Sequence, residues 1–164
     1  METVFHGLQW ETLLIYLDDV IIFSKDVESH LQRLGEVFNR LREANLKLKP
    51  SKCKLLQTEV ECLGHIVSGE GISTDPAKIE AVCNWSTAQH QADVRAFVGT
   101  CSYYRRYIPG YTEVARPLNQ LTSIRKPNIV WTPQCQNAFE RLKEALTEAP
   151  ILAYPDFNFP FILD

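Results

Sequence analysis

The sequence predicts an α+β fold in which strands and helices occupy separate stretches of the chain. Three observations point there. Residues Leu13 to Phe23 form an apolar run split only by Asp18-Asp19, the pattern of two buried strands joined at a tight turn. Residues 27–45, and again the stretch after Thr132, repeat apolar side chains at helical spacing. Between residues 46 and 73, short apolar segments punctuated by Pro50, Gly69 and Gly71 read as a small antiparallel meander.

The 164 residues, 45% hydrophobic and 23% charged, suffice for one good core or two small ones and match ordinary globular composition. There is no signal-peptide pattern and no apolar run long enough to span a membrane. Five cysteines, an odd number without a CxxC pair, argue against a disulfide framework. A reducing, intracellular setting, cytoplasmic or nuclear, is expected. The net charge of -3 is unevenly spread. Residues 1–24 hold four acids and no base (-4), residues 25–54 eight bases and four acids (+4), and residues 95–126 six bases against Glu113 (+5). An acidic centre beside basic segments suits a metal site working on a polyanion, and solvated helix faces give the same tally.

Met1 to Gly7 reads as the last turns of a helix ending at a glycine C-cap, so the chain is expected to begin inside a larger domain. In the hairpin that follows, two adjacent carboxylates in apolar surroundings repel each other and lose hydration. A hard divalent cation such as magnesium compensates such a pair; a solvated turn is the alternative.

Ser24 and Asp26 offer caps for a helix over 27–45, whose predicted core stripe is Leu31, Leu34, Phe38 and Leu41. Leu46-Lys47-Leu48-Lys49 alternates apolar and basic and reads as a short edge strand stopped by Pro50, with a second strand starting at Lys52-Cys53-Lys54-Leu55. Lys47, Lys49, Lys52 and Lys54 are candidates for a phosphate backbone, or lysines protecting an edge. Val60 to Val67 reads as strand, and Gly69 and Gly71 mark a turn before Ile72. Cys62 and His65 have a ligand-like separation but lack the second pair that structural zinc needs.

Asp75-Pro76 opens a helix through Trp85, and Val94, Phe97, Val98 and Cys101 mark another over 92–106. Tyr103, Tyr104 and Tyr107 interleave with Arg105 and Arg106, either to stack on bases and neutralise phosphates or to pack. Val114, Leu118 and Leu121 indicate a third helix over 112–122, completing a compact helical subdomain. Ser123 to Val130 reads as a linker. Thr132-Pro133 starts a helix with Ala138, Phe139, Leu142, Ala145 and Leu146 inward, and Phe159 to Leu163 reads as the first strand of another domain. Both chain ends are expected to be cut.

Tyr16-Leu17-Asp18-Asp19, the basic helix behind it and Leu63-Gly64-His65-Ile66-Val67 together resemble the reverse transcriptase of gypsy-type long-terminal-repeat retrotransposons. Arg95-Ala96-Phe97-Val98-Gly99, Ser102 to Pro109 and Trp131-Thr132-Pro133 look like that family's thumb and connection signatures. Ala149 to Leu152 and Pro155-Asp156-Phe157 resemble the start of its ribonuclease H. The resemblance runs in order along essentially the whole chain.

It implies a partial polymerase palm over 1–73, a helical thumb and connection over 74–125, and the connection with a truncated ribonuclease H start over 126–164. Asp18 would be a ligand of catalytic magnesium and Asp19 its neighbour in the acidic cluster. Tyr16 and Leu17 would touch the primer or nascent pair, and Leu63-Gly64-His65 would grip the primer end. Lys47, Lys49, Arg105 and Arg106 remain the basic candidates for nucleic-acid contact. The implied partners are an RNA/DNA template–primer duplex and deoxynucleotides, joined by attack of a primer 3′ hydroxyl with two metals stabilising the attacking and leaving oxygens.

The family's third carboxylate and its fingers would precede Met1, so no turnover, weak magnesium affinity and association with the missing palm and fingers are expected of this chain alone. Ser86 and Ala88 stand where the family has prolines, which implies a more flexible loop. Asp164 is not assigned a ribonuclease H role. Two other readings stay open: a non-catalytic nucleic-acid-binding module, and a structural subunit packed on another polymerase chain.

Overall fold

The computed structural model describes residues 1–123, 129–155 and 160. The chain packs as two compact units, Met1–Gln57 and Thr58–Asp164. The meander therefore packs with the helices that follow it. Most of the expected linker and the strand expected at Phe159 to Leu163, with Asp164, lie outside the described residues.

The first unit opens with hydrogen-bonded turns, Phe5 N–H donating to the Met1 carbonyl at 3.1 Å, with Gly7 at φ +84°. Strands β1 (Leu13–Tyr16) and β2 (Asp19–Ile22) pair antiparallel, with Leu13 opposite Ile22 and Ile15 opposite Val20. Alternation places these four on one face, and they pack with Phe5, Leu8, Val37 and Leu41. Helix α1 (Val27–Glu43) starts where the Asp26 carboxylate accepts from Ser29 N–H at 2.8 Å. It ends in a Schellman motif. Asn45, at φ +55°, donates to the Arg42 carbonyl and Leu46 N–H to the Leu41 carbonyl.

Two expectations fail in this unit. The inward stripe of α1 is Leu34, Val37 and Leu41, whereas Leu31 is exposed and Phe38 lies at the stripe's margin. A two-stranded hairpin covers only part of a wide apolar helix face. Residues 46–57 form no strand among the described residues; Pro50–Lys52 is a 3-10 turn instead. Apolar–basic alternation needs a partner strand to become a ladder, and Pro50 has no N–H to offer one.

In the second unit, β3 (Glu59–Cys62), β4 (His65–Ser68) and β5 (Ile72–Thr74) form an antiparallel sheet in chain order. The run read as one strand over Val60 to Val67 is thus two, folded at Leu63-Gly64. Helix α2 (Pro76–Cys83) is capped as its sequence predicts, the Asp75 carboxylate accepting from Ala77 N–H at 2.9 Å. Helix α3 (Gln91–Tyr103) begins where Asp93 accepts from the main-chain N–H groups of His90 and Gln89, which hold its carboxyl below the usual range. A 3-10 turn, Arg105–Tyr107, leads to α4 (Tyr111–Ser123), which continues through Pro117. Helix α5 (Pro133–Thr147) is capped by the Thr132 hydroxyl, which accepts from Cys135 N–H.

Helices α2 to α5 share one core centred on Phe97, Leu118, Phe139, Leu142 and Leu146. Each of these side chains contributes about 1.5–3 kcal/mol by leaving water. The Phe97 and Phe139 rings lie 4.5 Å apart, and Trp131 meets Phe139 edge-on at 5.8 Å. Ala88 is buried in this core, which anchors the loop expected to be loose. Beyond α5 the chain returns to the sheet. Ile72 and Leu152 exchange two main-chain hydrogen bonds of 2.9 Å, and the Tyr154 hydroxyl donates to the Ser68 carbonyl at 2.8 Å. Gly71, at φ +144°, makes this approach possible, because a Cβ there would sit 2.3 Å from the Leu152 carbonyl oxygen.

Candidate functional site

Two hairpin tips hold most of the residues singled out by sequence. In the first unit, Tyr16 opposite Asp19 closes the two-residue turn Leu17-Asp18. Leu17 sits at φ +53°, a left-handed conformation that costs a branched side chain about 1–2 kcal/mol. Glycine is the residue that relieves such a turn. Instead a leucine is held there with 76% of its surface exposed.

Asp18 and Asp19 are both exposed beside it, so the desolvation inferred from the apolar run is absent at the tip. The run is buried lower down, through Leu13, while the tip stands clear. In kind, two carboxylates fit a hard divalent cation; in number they fall short of the six or so oxygen ligands such ions take. Among the described residues no group of three or more His, Cys, Asp or Glu side chains gathers to hold a metal. Cys62 and His65 are register partners across a strand pair, and among the described residues no third His, Cys, Asp or Glu joins them in a metal-holding group.

The second tip is the β3–β4 turn. Leu63 and Gly64 have φ of +51° and +70°, the signs of a type I′ turn, which normally takes Asn-Gly. Leu63 is again an exposed leucine in a strained conformation. Two phenols converge on this tip, and a third reaches the β5 strand of the same sheet. Tyr103 donates to the Leu63 carbonyl, Tyr104 to the Gly64 carbonyl at 2.6 Å, and Tyr107 to the Ile72 carbonyl at 3.3 Å. The Leu63 carbonyl also accepts from His65 Nδ1–H at 3.0 Å. The His65 ring lies 5.3, 5.3 and 5.9 Å from the Tyr103, Tyr104 and Tyr107 rings.

The tyrosines thus divide. Tyr104 and Tyr107 are buried, at 2% and 3% exposure, while Tyr103 is half exposed. Burial pushes the Tyr104 phenol up to about 12, and burial likewise raises Tyr107. Both remain donors at neutral pH. Arg105 and Arg106 are exposed on the turn after α3. Beside the tip, a groove of about 640 Å³ runs between α2 and α3, with Lys78 and Arg95 on its walls and Gly99 among its lining residues. Lys47 and Lys49 are exposed on the unpaired segment of the first unit.

Sequence reasoning missed the tyrosine–turn contacts, because forty residues separate the partners and no periodicity links them. It also missed Lys78, and it named Arg95 only within a signature; the packing of α2 against α3 brings the two to one groove.

Two family models match the chain, "Reverse transcriptase (RNA-dependent DNA polymerase)" over residues 1–67 and "RNase H-like domain found in reverse transcriptase" over residues 131–164. The chain is 38% identical over 165 residues to the retrovirus-related Pol polyprotein from transposon 297 of Drosophila melanogaster, covering 99% of this chain and 15% of the polyprotein. It is 30% identical to the transposon Tf2-3 polyprotein of Schizosaccharomyces pombe, covering 93% of this chain and 11% of that one. An uncharacterized mitochondrial protein of Arabidopsis thaliana matches at 37% identity, with 80% of this chain and 84% of that protein covered. Among solved structures, a foamy viral protease-reverse transcriptase in complex with double-stranded DNA superposes with a TM-score of 0.87 at 24% identity, over 94% of this chain and 27% of that one. The same kind of protein in complex with an RNA/DNA hybrid gives 0.83 at 24%, over 93% and 21%. These likenesses establish the α+β fold.

Proposed function

Because the chain belongs to the reverse transcriptase family of retrotransposon Pol polyproteins, we propose that it supplies the aspartate hairpin and the primer-holding turn of an RNA-directed DNA polymerase. The observation that carries this reading is the first hairpin tip. Two consecutive carboxylates project there beside an exposed leucine at positive φ, a choice that fold stability alone disfavours.

In this reading Asp18 and Asp19 would be two of the ligands of a divalent metal, magnesium, which would supply charge stabilisation to nucleotidyl transfer. Tyr16 and Leu17 present an aromatic and an apolar surface to the primer-terminal pair. Leu63, Gly64 and His65 hold the primer strand, and Lys47, Lys49, Arg105 and Arg106 neutralise phosphates of an RNA/DNA duplex. Deoxynucleotides are the substrates of the intact enzyme.

With two carboxylates at the tip, the isolated chain is expected to bind magnesium weakly and to extend no primer. Incubation with a primed RNA template, deoxynucleotides and magnesium tests this, and metal-dependent extension contradicts it. The exposed Arg105 and Arg106 on the turn after α3 support a second reading, a non-catalytic binder of nucleic-acid duplex. Binding of an RNA/DNA hybrid that weakens steeply with salt is expected on either reading; no binding at low salt removes both.

A further inference from the structure

We propose that Tyr103 and Tyr104 are positioning residues that fix the Leu63-Gly64 turn so that it can seat a primer 3′ end. The inference rests on the functional reading above and concerns residues outside the turn itself. Leucine at φ +51° is strained, so the turn needs external restraint to remain one conformation. The restraint comes from the end of α3. The two carbonyls at the tip, of Leu63 and Gly64, each accept a phenolic proton from successive residues of that helix end. His65 adds a second donor to the Leu63 carbonyl and inserts its ring among the tyrosines.

With both carbonyls held inward, the exposed Leu63 side chain is left at the tip as a fixed apolar contact. A turn that merely closed a sheet would need none of this, since an Asn-Gly pair closes itself. Two adjacent donors aimed at two adjacent carbonyls fix both the height and the tilt of the tip relative to α3.

The test uses the whole chain with Tyr103→Phe, Tyr104→Phe and the double variant, and Tyr154→Phe as control. The control removes a phenol that donates to the Ser68 carbonyl at the far end of the same sheet. One readout is amide hydrogen exchange at Gly64 and His65. The other is the ratio of affinities for an RNA/DNA hybrid with a recessed primer 3′ end and the same hybrid with blunt ends.

In each single variant, exchange at the turn is expected to rise and the preference for the recessed end to fall about fivefold, and in the double variant about thirtyfold, as the loss of one or two hydrogen bonds worth about 1 kcal/mol apiece implies. Tyr154→Phe is expected to leave the preference unchanged. If the unsubstituted chain shows no preference for the recessed end, the functional reading fails and takes this inference with it. If the preference exists and survives the double substitution, or falls equally with Tyr154→Phe, the positioning role alone is overturned.

Discussion

The Tyr104 hydroxyl donates to the Gly64 carbonyl at 2.6 Å, and a Cβ added to Gly64 would meet that same hydroxyl at 3.2 Å. Gly64 is therefore required twice, for its φ of +70° and for the closeness of the phenol. Gly64→Ala is expected to destabilise the chain by about 1–2 kcal/mol in denaturant titration. Leu63→Asn is expected to act the other way, stabilising by about 0.5–1 kcal/mol, because asparagine tolerates the left-handed region.

Gly71→Ala should be the more damaging glycine substitution. The added methyl would lie 2.3 Å from a main-chain oxygen, not from a side chain that can swing aside. A loss of about 2–3 kcal/mol is expected, with release of the returning strand. Amide exchange at Ile72 and Leu152 reports that release directly, since each donates to the other's carbonyl.

Asn45→Ala should weaken the C-terminal end of α1 by about 1 kcal/mol, because Asn45 occupies the left-handed position of the Schellman motif at φ +55°. Asn45→Gly should preserve it. Circular dichroism during denaturant titration distinguishes the two.

High pH should destabilise the second unit. The Tyr104 phenol titrates at about 12, above the ordinary value near 10, because it is buried. Between those values the unfolded chain has released a proton that the folded chain keeps. Stability present below pH 10 is thus lost progressively as pH rises toward about 12. Phenolate absorbance should show late-titrating phenols, raised by burial, and Tyr104→Phe should remove one phenol from that late component while Tyr107, Tyr111 and Tyr154 keep theirs. The buried Cys101 thiol, also pushed up to about 12, should resist alkylation at neutral pH while the exposed Cys53 reacts.

The parts of this fold legible in the sequence were those fixed by local chemistry. Asp75-Pro76 and Thr132-Pro133 start their helices, and the split apolar run forms the hairpin that carries Asp18 and Asp19. Local rules misled where a partner decided the outcome. Leu46 to Lys49 has strand alternation but pairs with nothing among the described residues, and Leu31 and Phe38 lie beyond the strip of α1 that the hairpin covers. The tyrosines of the α3 end were legible as aromatic residues near arginines. Their target, a turn forty residues earlier, required the tertiary fold.

The most direct measurement places a photoreactive nucleotide at the primer 3′ end of an RNA/DNA hybrid and maps the adduct on the chain. The expected adduct lies in the tryptic peptide Leu55 to Lys78, at Leu63 to His65. Adducts confined to α5, or none that depend on the recessed end, would contradict the account.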